Sequence, residues 1–506
     1  MMVTLSLDRL RADGEQFMEE LSREYYLAHS GQKPTAELQP IYAKHEAIIG
    51  PDALALALET FKGASEGSEE RRGARLLLDW QAEAQSSRQL AALDEREIAW
   101  EGSTVVPVGD SRQIPFESVS IEIGNSSDAN ERHTIEEARA KVVARELSPM
   151  RRERFERERD ITEQLDLAPN YISAFELLSG IPLLSLKAEC EAFLRQTDSL
   201  WQEVFPEFTR RVLGMEPADV TRADALALFR ARDFDAYFPS ERMESAIRGQ
   251  VREMGIDPLA AGRITLDTSE REGKRARAFC SPVRVPNEVY LVLRPHGGQT
   301  DWMTLLHELG HALHFAYMRP DLAFEYRWLG DNSITEAYAM LFDHRIKDPG
   351  WLKRYTELGT SRLPAFMRST GFEELQFLRR YCAKLIYEVE LYGGAVRWES
   401  LPDLYVELLT NATTFRYNRA DAFVDVDPRF YAARYLRAWQ LQALVAETLV
   451  ERYDEDWWRN PRAGPWIASA LFGEGQRELA HEQGQRVADK PLSFAPLVRA
   501  VERMLG

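Results

Sequence analysis

Along most of this chain apolar residues recur at three- and four-residue spacing, the pattern of helices that bury one face. It is plain in LALALETF and ARLLLDWQAEA, within residues 6–100. Residues 103–123 break it. STVVPV, a GDSRQ turn and FESVSIEI alternate as strands do, with Phe116, Val119, Ile121 and Ile123 marking one face. Helical spacing returns near 134 and continues through 250. Two further strands are predicted at RITLDT (263–268) and NEVYLVL (287–293), and the pattern is helical from 300 almost to the end. The fold class is therefore mainly α with small β elements. No repeat or low-complexity linker marks a boundary, and the division adopted is 1–185, a helical region with a β-hairpin near 103–123, and 186–506.

Size and charge narrow the picture. At 506 residues, 44% of them hydrophobic, the chain exceeds what one core accommodates, about 250–300 residues, so two lobes are expected. With 81 acidic against 63 basic side chains the net charge is −18, which repels phosphate backbones and anionic lipid. Neither nucleic acid nor a membrane is an expected partner. The basic-looking run MRRERFERERD alternates sign at helical spacing and reads as a solvated helix face. Cys190, Cys280 and Cys382 form no CxxC pair, which argues against a disulfide framework and a thiolate metal site. The N-terminal MMVTLSLDRLRADGEQF has no apolar signal core, and a cytoplasmic location is expected.

One stretch carries chemistry. TDWMTLLHELGHALHFAYMRP contains His307-Glu308-Leu309-Gly310-His311, with Thr300 or Asp301 to cap a helix and Pro320 to end it. Residues four apart share a helix face, so both imidazoles reach one ion. Glu308 projects about 100° away, suited to hold a water rather than to be the third ligand. Gly310 permits another backbone to approach closely. A catalytic zinc needs three protein ligands and one open position. The candidates for the third are His314, Glu325, Glu336 and His344. His314 stands roughly 10 Å along the axis from His307, too far to share one ion with both motif histidines. Glu336 lies in DNSITEAYAMLFDH, where Ser333-Ile334-Thr335-Glu336 also fits a capping box. Asp343, seven residues on, shares the face of Glu336, where a carboxylate orients a metal-bound imidazole.

These residues resemble the thimet oligopeptidase and oligoendopeptidase F family of zinc peptidases. HELGH followed by Glu336, 25 positions beyond His311, has that family's spacing, and Asp343 matches its next acidic residue. Upstream, SEREGKRARAFCSP resembles the REGK…GAF segment through Arg271, Gly273, Lys274, Ala278 and Phe279. Downstream, DPRFYAARYLRAW resembles FYxxxY and puts Tyr431 and Tyr435 on the active-site tyrosines. Periodicity alone assigns those two to core packing beside Phe430 and Trp439. Where the family carries a histidine before the tyrosines, this chain has Asp425, Val426 and Asp427.

The resemblance implies a two-lobed helical shell around a deep channel, with a small β-sheet beside the HExxH helix. It implies one Zn²⁺ per chain on His307, His311 and Glu336, and short unstructured peptides as substrates. Internal bonds would be hydrolysed by a metal-activated water with Glu308 as general base and Tyr431 or Tyr435 at the oxyanion. The segment 287–298 is expected to offer an edge strand to the substrate. The competing readings are a metallocarboxypeptidase of the carboxypeptidase Taq type and an inactive peptide-binding relative.

Overall fold

The computed structural model describes residues 5–230 and 232–506. It is 70% helical with small sheets, the mainly α class that the hydrophobic spacing predicts. The chain divides into two compact units, each assembled from three stretches. One comprises the chain up to Gln85, Arg232–Met367 and Arg437–Leu497; the other comprises Ser86–Ala231, Arg368–Leu436 and Val498–Gly506. Residue 185, the boundary expected from the sequence, falls inside the helix Leu183–Phe208 of the second unit. Among the described residues no helix is long and apolar enough to cross a membrane.

In the second unit, strands β1 (Val105–Val108) and β2 (Arg112–Pro115) form an antiparallel hairpin, with β2 beginning inside the GDSRQ stretch expected to be the turn. The expected second strand, FESVSIEI, is not strand. Phe116–Ser118 is a 3₁₀ turn and Val119–Asn125 an α-helix. Val119 and Ile123, four apart, are buried with Val106, Ile114 and Ile135, whereas Ile121 is 62% exposed. The alternating β-branched residues satisfied both periods, and burial chose the helical one. Elsewhere this unit packs around aromatic rings, with Phe372 stacked on Trp201 at 5.3 Å and on Phe208 at 4.1 Å.

In the first unit, a three-stranded sheet is built from β3 (Ile264–Asp267), β4 (Phe279–Arg284) and β5 (Glu288–Val292) in the order β3-β5-β4. β5 pairs parallel with β3 and antiparallel with β4. The strand expected at 287–298 to lie at an edge is therefore central, and β3 and β4 are the edges. FCSPVR hid itself from pattern reading because Pro282 interrupts it and its alternation is weak. The loop before β4 is pinned by the REGK residues. Lys274 Nζ, fully buried, donates to the carbonyls of Asp267 (2.9 Å) and Ser269 (2.8 Å), and Arg271 Nε to that of Ser30 (2.6 Å). In this chain the REGK segment fixes where β4 begins.

Candidate metal centre

The motif helix spans Gln299–Tyr317 and starts at Gly298, whose φ of 88° excludes most other residues. Gly298, not Thr300 or Asp301, is its N-cap. Asp301 instead accepts from the backbone amides of His296 (2.8 Å) and Gly297 (2.9 Å), which fixes the entry into the helix. Trp302, Leu305, Leu306, Leu309, Ala312 and Leu313 are buried and anchor the helix. His307 and His311 are left on one side, with ring centroids 4.9 Å apart.

A second helix, Asn332–Asp343, carries Glu336. Its N-cap is Asp331, which accepts from the Ser333 amide at 3.0 Å, so Glu336 is not consumed by a capping box. The two helices meet at Gly310. A Cβ there would lie 2.6 Å from both Ala339 Cα and the Tyr338 carbonyl oxygen, so only glycine permits this approach. That contact brings ligand atoms of His307, His311 and Glu336 within 4.8 Å of one another. His307 Nε2 and Glu336 Oε2 are 3.4 Å apart, about the edge of a tetrahedron with zinc bonds of ~2.0–2.1 Å.

The other nitrogen of each ring is occupied. His307 Nδ1 is 2.8 Å from Asp343 Oδ2, and His311 Nδ1 is 2.8 Å from Thr335 Oγ1. Both Nε2 atoms are thereby turned toward the common point, where a bound metal would replace the proton that His307 Nε2 shares with Glu336. Burial lowers His311, to about 4. Burial would lower His307 too, but the Asp343 and Glu336 carboxylates outweigh it and lift the ring to about 10. Two carboxylates around one imidazole is an arrangement that attracts a cation.

Glu308 is half-buried, and Oε2 accepts from the Cys280 backbone amide of β4 at 2.9 Å. Burial raises its carboxyl above the ordinary value, with His307 pulling the other way. Burial and the neighbouring Glu308 push the Cys280 thiol well up.

The remaining candidates have other duties. His314 is fully buried, edge-on to Tyr338 at 4.8 Å. Glu325 is buried and paired with Arg11 at 2.6 Å. His344 meets Asp343. Two features went unseen in the sequence: Thr335, whose place before Glu336 was its only signal, and the amide of Cys280, which no side-chain pattern reports. Tyr431 and Tyr435 belong to the second unit, where their rings lie 5.0 Å apart and Tyr435 stacks on Tyr381 at 5.8 Å. Asp425 accepts from Tyr405 at 2.8 Å and pairs with Arg380, while Asp427 pairs with Lys384 at 2.5 Å.

Fold and site together define a mainly helical protein with an HExxH helix, a downstream glutamate and a three-donor centre competent to hold a metal ion. No family model matches the chain. Over 147 residues it is 29% identical to oligoendopeptidase F, chromosomal, of Lactococcus lactis subsp. cremoris. That stretch is 28% of this chain and 24% of the relative, so the chain matches about a quarter of that protein's length.

Proposed function

We propose that this chain is a zinc-dependent peptidase acting on internal bonds of short, unstructured peptides. The observation that carries the reading is the convergence of His307, His311 and Glu336 within 4.8 Å, with Glu308 next to His307 on the same helix. The donor set fits zinc, since two imidazoles and one carboxylate leave one position of a tetrahedron open. The likeness to a stretch of an oligoendopeptidase supports the same reading. The free cysteines suit a reducing compartment such as the cytoplasm.

Zinc held there supplies Lewis acidity, lowering the pKa of water toward about 7 and polarising a carbonyl. Asp343 would hold a proton on His307 Nδ1, and Thr335, whose hydroxyl can accept as well as donate, would support His311 Nδ1 in the metal-binding tautomer. Glu308, steadied by the Cys280 amide, accepts the proton of the attacking water and returns it to the leaving amine. β4, as an edge strand, offers backbone groups along which an extended peptide aligns. The hydroxyls of Tyr431 and Tyr435 enter this proposal through the family resemblance alone. Tyr431→Phe is expected to reduce turnover at unchanged zinc content, and an unchanged rate returns the pair to packing.

The test is to incubate metal-analysed protein with a mixture of short peptides and read the products by mass spectrometry. Internal cleavage that requires zinc is expected, falling about 10²–10⁴-fold in Glu308→Gln with zinc retained. Stepwise loss of C-terminal residues would make it a carboxypeptidase, and zinc uptake without cleavage a binding protein. Protein that takes up no zinc would sink the proposal.

A further inference from the structure

Asp343 touches two imidazoles, and only one of them belongs to the candidate metal centre. Its Oδ2 lies 2.8 Å from His307 Nδ1, and its Oδ1 lies 2.5 Å from His344 Nδ1. His344 Nε2 in turn lies 3.2 Å from Lys347 Nζ. Residues 344–347 form one 3₁₀ turn, in which positions three apart stand over each other, so the sequence His-Arg-Ile-Lys sets the ring beside the ammonium. The side chains of Asp343 and His344 are only 13% and 14% exposed, so water does little to loosen the contact.

Donor and acceptor rules give this chain of contacts one direction. An ammonium only donates, so His344 Nε2 accepts from Lys347 and the ring proton sits on Nδ1. His344 Nδ1–H then donates to Asp343 Oδ1, which turns Oδ2 toward His307. An ionised carboxylate only accepts, so His307 also carries a proton on Nδ1, and Nε2, facing Glu336, is the nitrogen a metal would take.

We propose that His344 and Lys347 are positioning residues which, through Asp343, fix the tautomer and ring angle of His307 and so set how tightly the centre holds zinc. The inference rests on the zinc reading above and extends it to two residues remote from the ligand atoms. Removing His344 takes away one of the two bonds that fix the plane of the Asp343 carboxylate. Removing Lys347 leaves both His344 tautomers open.

The test is zinc affinity of the full chain, measured by competition with a chromophoric chelator, alongside thermal unfolding of the zinc-free protein. His344→Phe is expected to weaken zinc about tenfold, the scale of lost support behind a ligand. Lys347→Met should weaken it roughly threefold, a fraction of the same effect because it acts one bond further away. His344→Asn keeps a donor toward Asp343 and is expected to recover most of the affinity. A merely structural role would lower the unfolding temperature and leave zinc affinity alone. Wild-type affinity in His344→Phe overturns the proposal. If that variant does not fold, Lys347→Met decides, and unchanged affinity there overturns it equally. Wild-type protein that binds no zinc overturns the zinc reading itself.

Discussion

Two regions of this molecule bury ionisable side chains, and they arrange them differently. In the first unit His307, His311 and Glu336 aim donor atoms at a common point, with their outer atoms tied to Asp343 and Thr335. In the second, the helix Leu363–Gly393 buries Arg380, Lys384 and Glu388 at four-residue intervals, facing Asp425 and Asp427. There Arg380 pairs with Asp425, and Lys384 lies 2.5 Å from Asp427 and 3.9 Å from Glu388. The charges of the second region answer one another; the donor atoms of the first converge on one point, as the proposed metal would require. Burial and shifted pKa values occur in both, so neither marks function alone. Convergence of donor atoms on one point is what separates the first region from the second.

The comparison breaks most sharply if the two regions fail to separate stability from metal binding. Arg380→Met removes one member of a buried pair and is expected to cost about 3–5 kcal/mol in urea unfolding, with zinc affinity unchanged. Loss of zinc binding in a variant that remains folded would show that the ladder is not purely structural. Glu336→Gln should behave in the opposite way. Structural zinc sites are worth ~10–16 kcal/mol over four ligands, so one ligand carries about 3–4 kcal/mol, or on the order of 10²–10³-fold in affinity. The unfolding temperature of the zinc-free protein should stay put or rise, because a buried carboxylate has been removed. A large fall would class Glu336 with the ladder.

A third prediction sharpens the ladder itself. Burial raises the Glu388 carboxyl to about 8, with Lys384 opposing and Asp427 and Asp425 adding to it; Tyr387 is adjacent on the same helix. The unfolded chain releases this proton near about pH 4.3, the folded protein only near 8. The unfolded state therefore binds fewer protons between those values, and stability falls as pH rises through that window. Glu388→Gln should flatten the decline in urea unfolding between about pH 5 and 8. An unchanged slope would mean that the proton is lost to another group.

The histidine pair on the metal side was legible in the sequence because its geometry is local, whereas the choice of Glu336 among four candidate donors came from the family resemblance. Four-residue spacing puts His307 and His311 on one face whatever surrounds them, and seven-residue spacing does the same for Glu336 and Asp343. The helical class was legible for the same reason. What escaped depends on contacts distant in sequence. β4 sits at the edge because β3 pairs with β5 in parallel, and no local pattern reports that order. FESVSIEI carried both periods at once, and only burial against Ile135 decided between them. The aspartates standing in place of a histidine gained a meaning only when Arg380 and Lys384 were found facing them, some forty residues earlier in the chain.

Thr335 offers the finest test of the comparison, because its hydroxyl supports a ligand without carrying charge. It is buried, and its Oγ1 lies 2.8 Å from His311 Nδ1, so with Nε2 given to a metal the ring would donate to the hydroxyl as His307 donates to a carboxylate. A neutral acceptor holds an imidazole less firmly than an anion does, so its loss should cost less than the loss of Asp343. Thr335→Val keeps the shape of the side chain and deletes only the acceptor. It leaves one buried N–H unpaired, at about 1–3 kcal/mol, unless the ring rotates or changes tautomer, and either escape misdirects Nε2. Zinc affinity should therefore fall roughly tenfold, with the fold retained. Thr335→Ser, which restores the oxygen, should return most of it. If valine and serine variants bind zinc equally well, the hydroxyl is packing rather than support, and His311 is oriented by its helix alone.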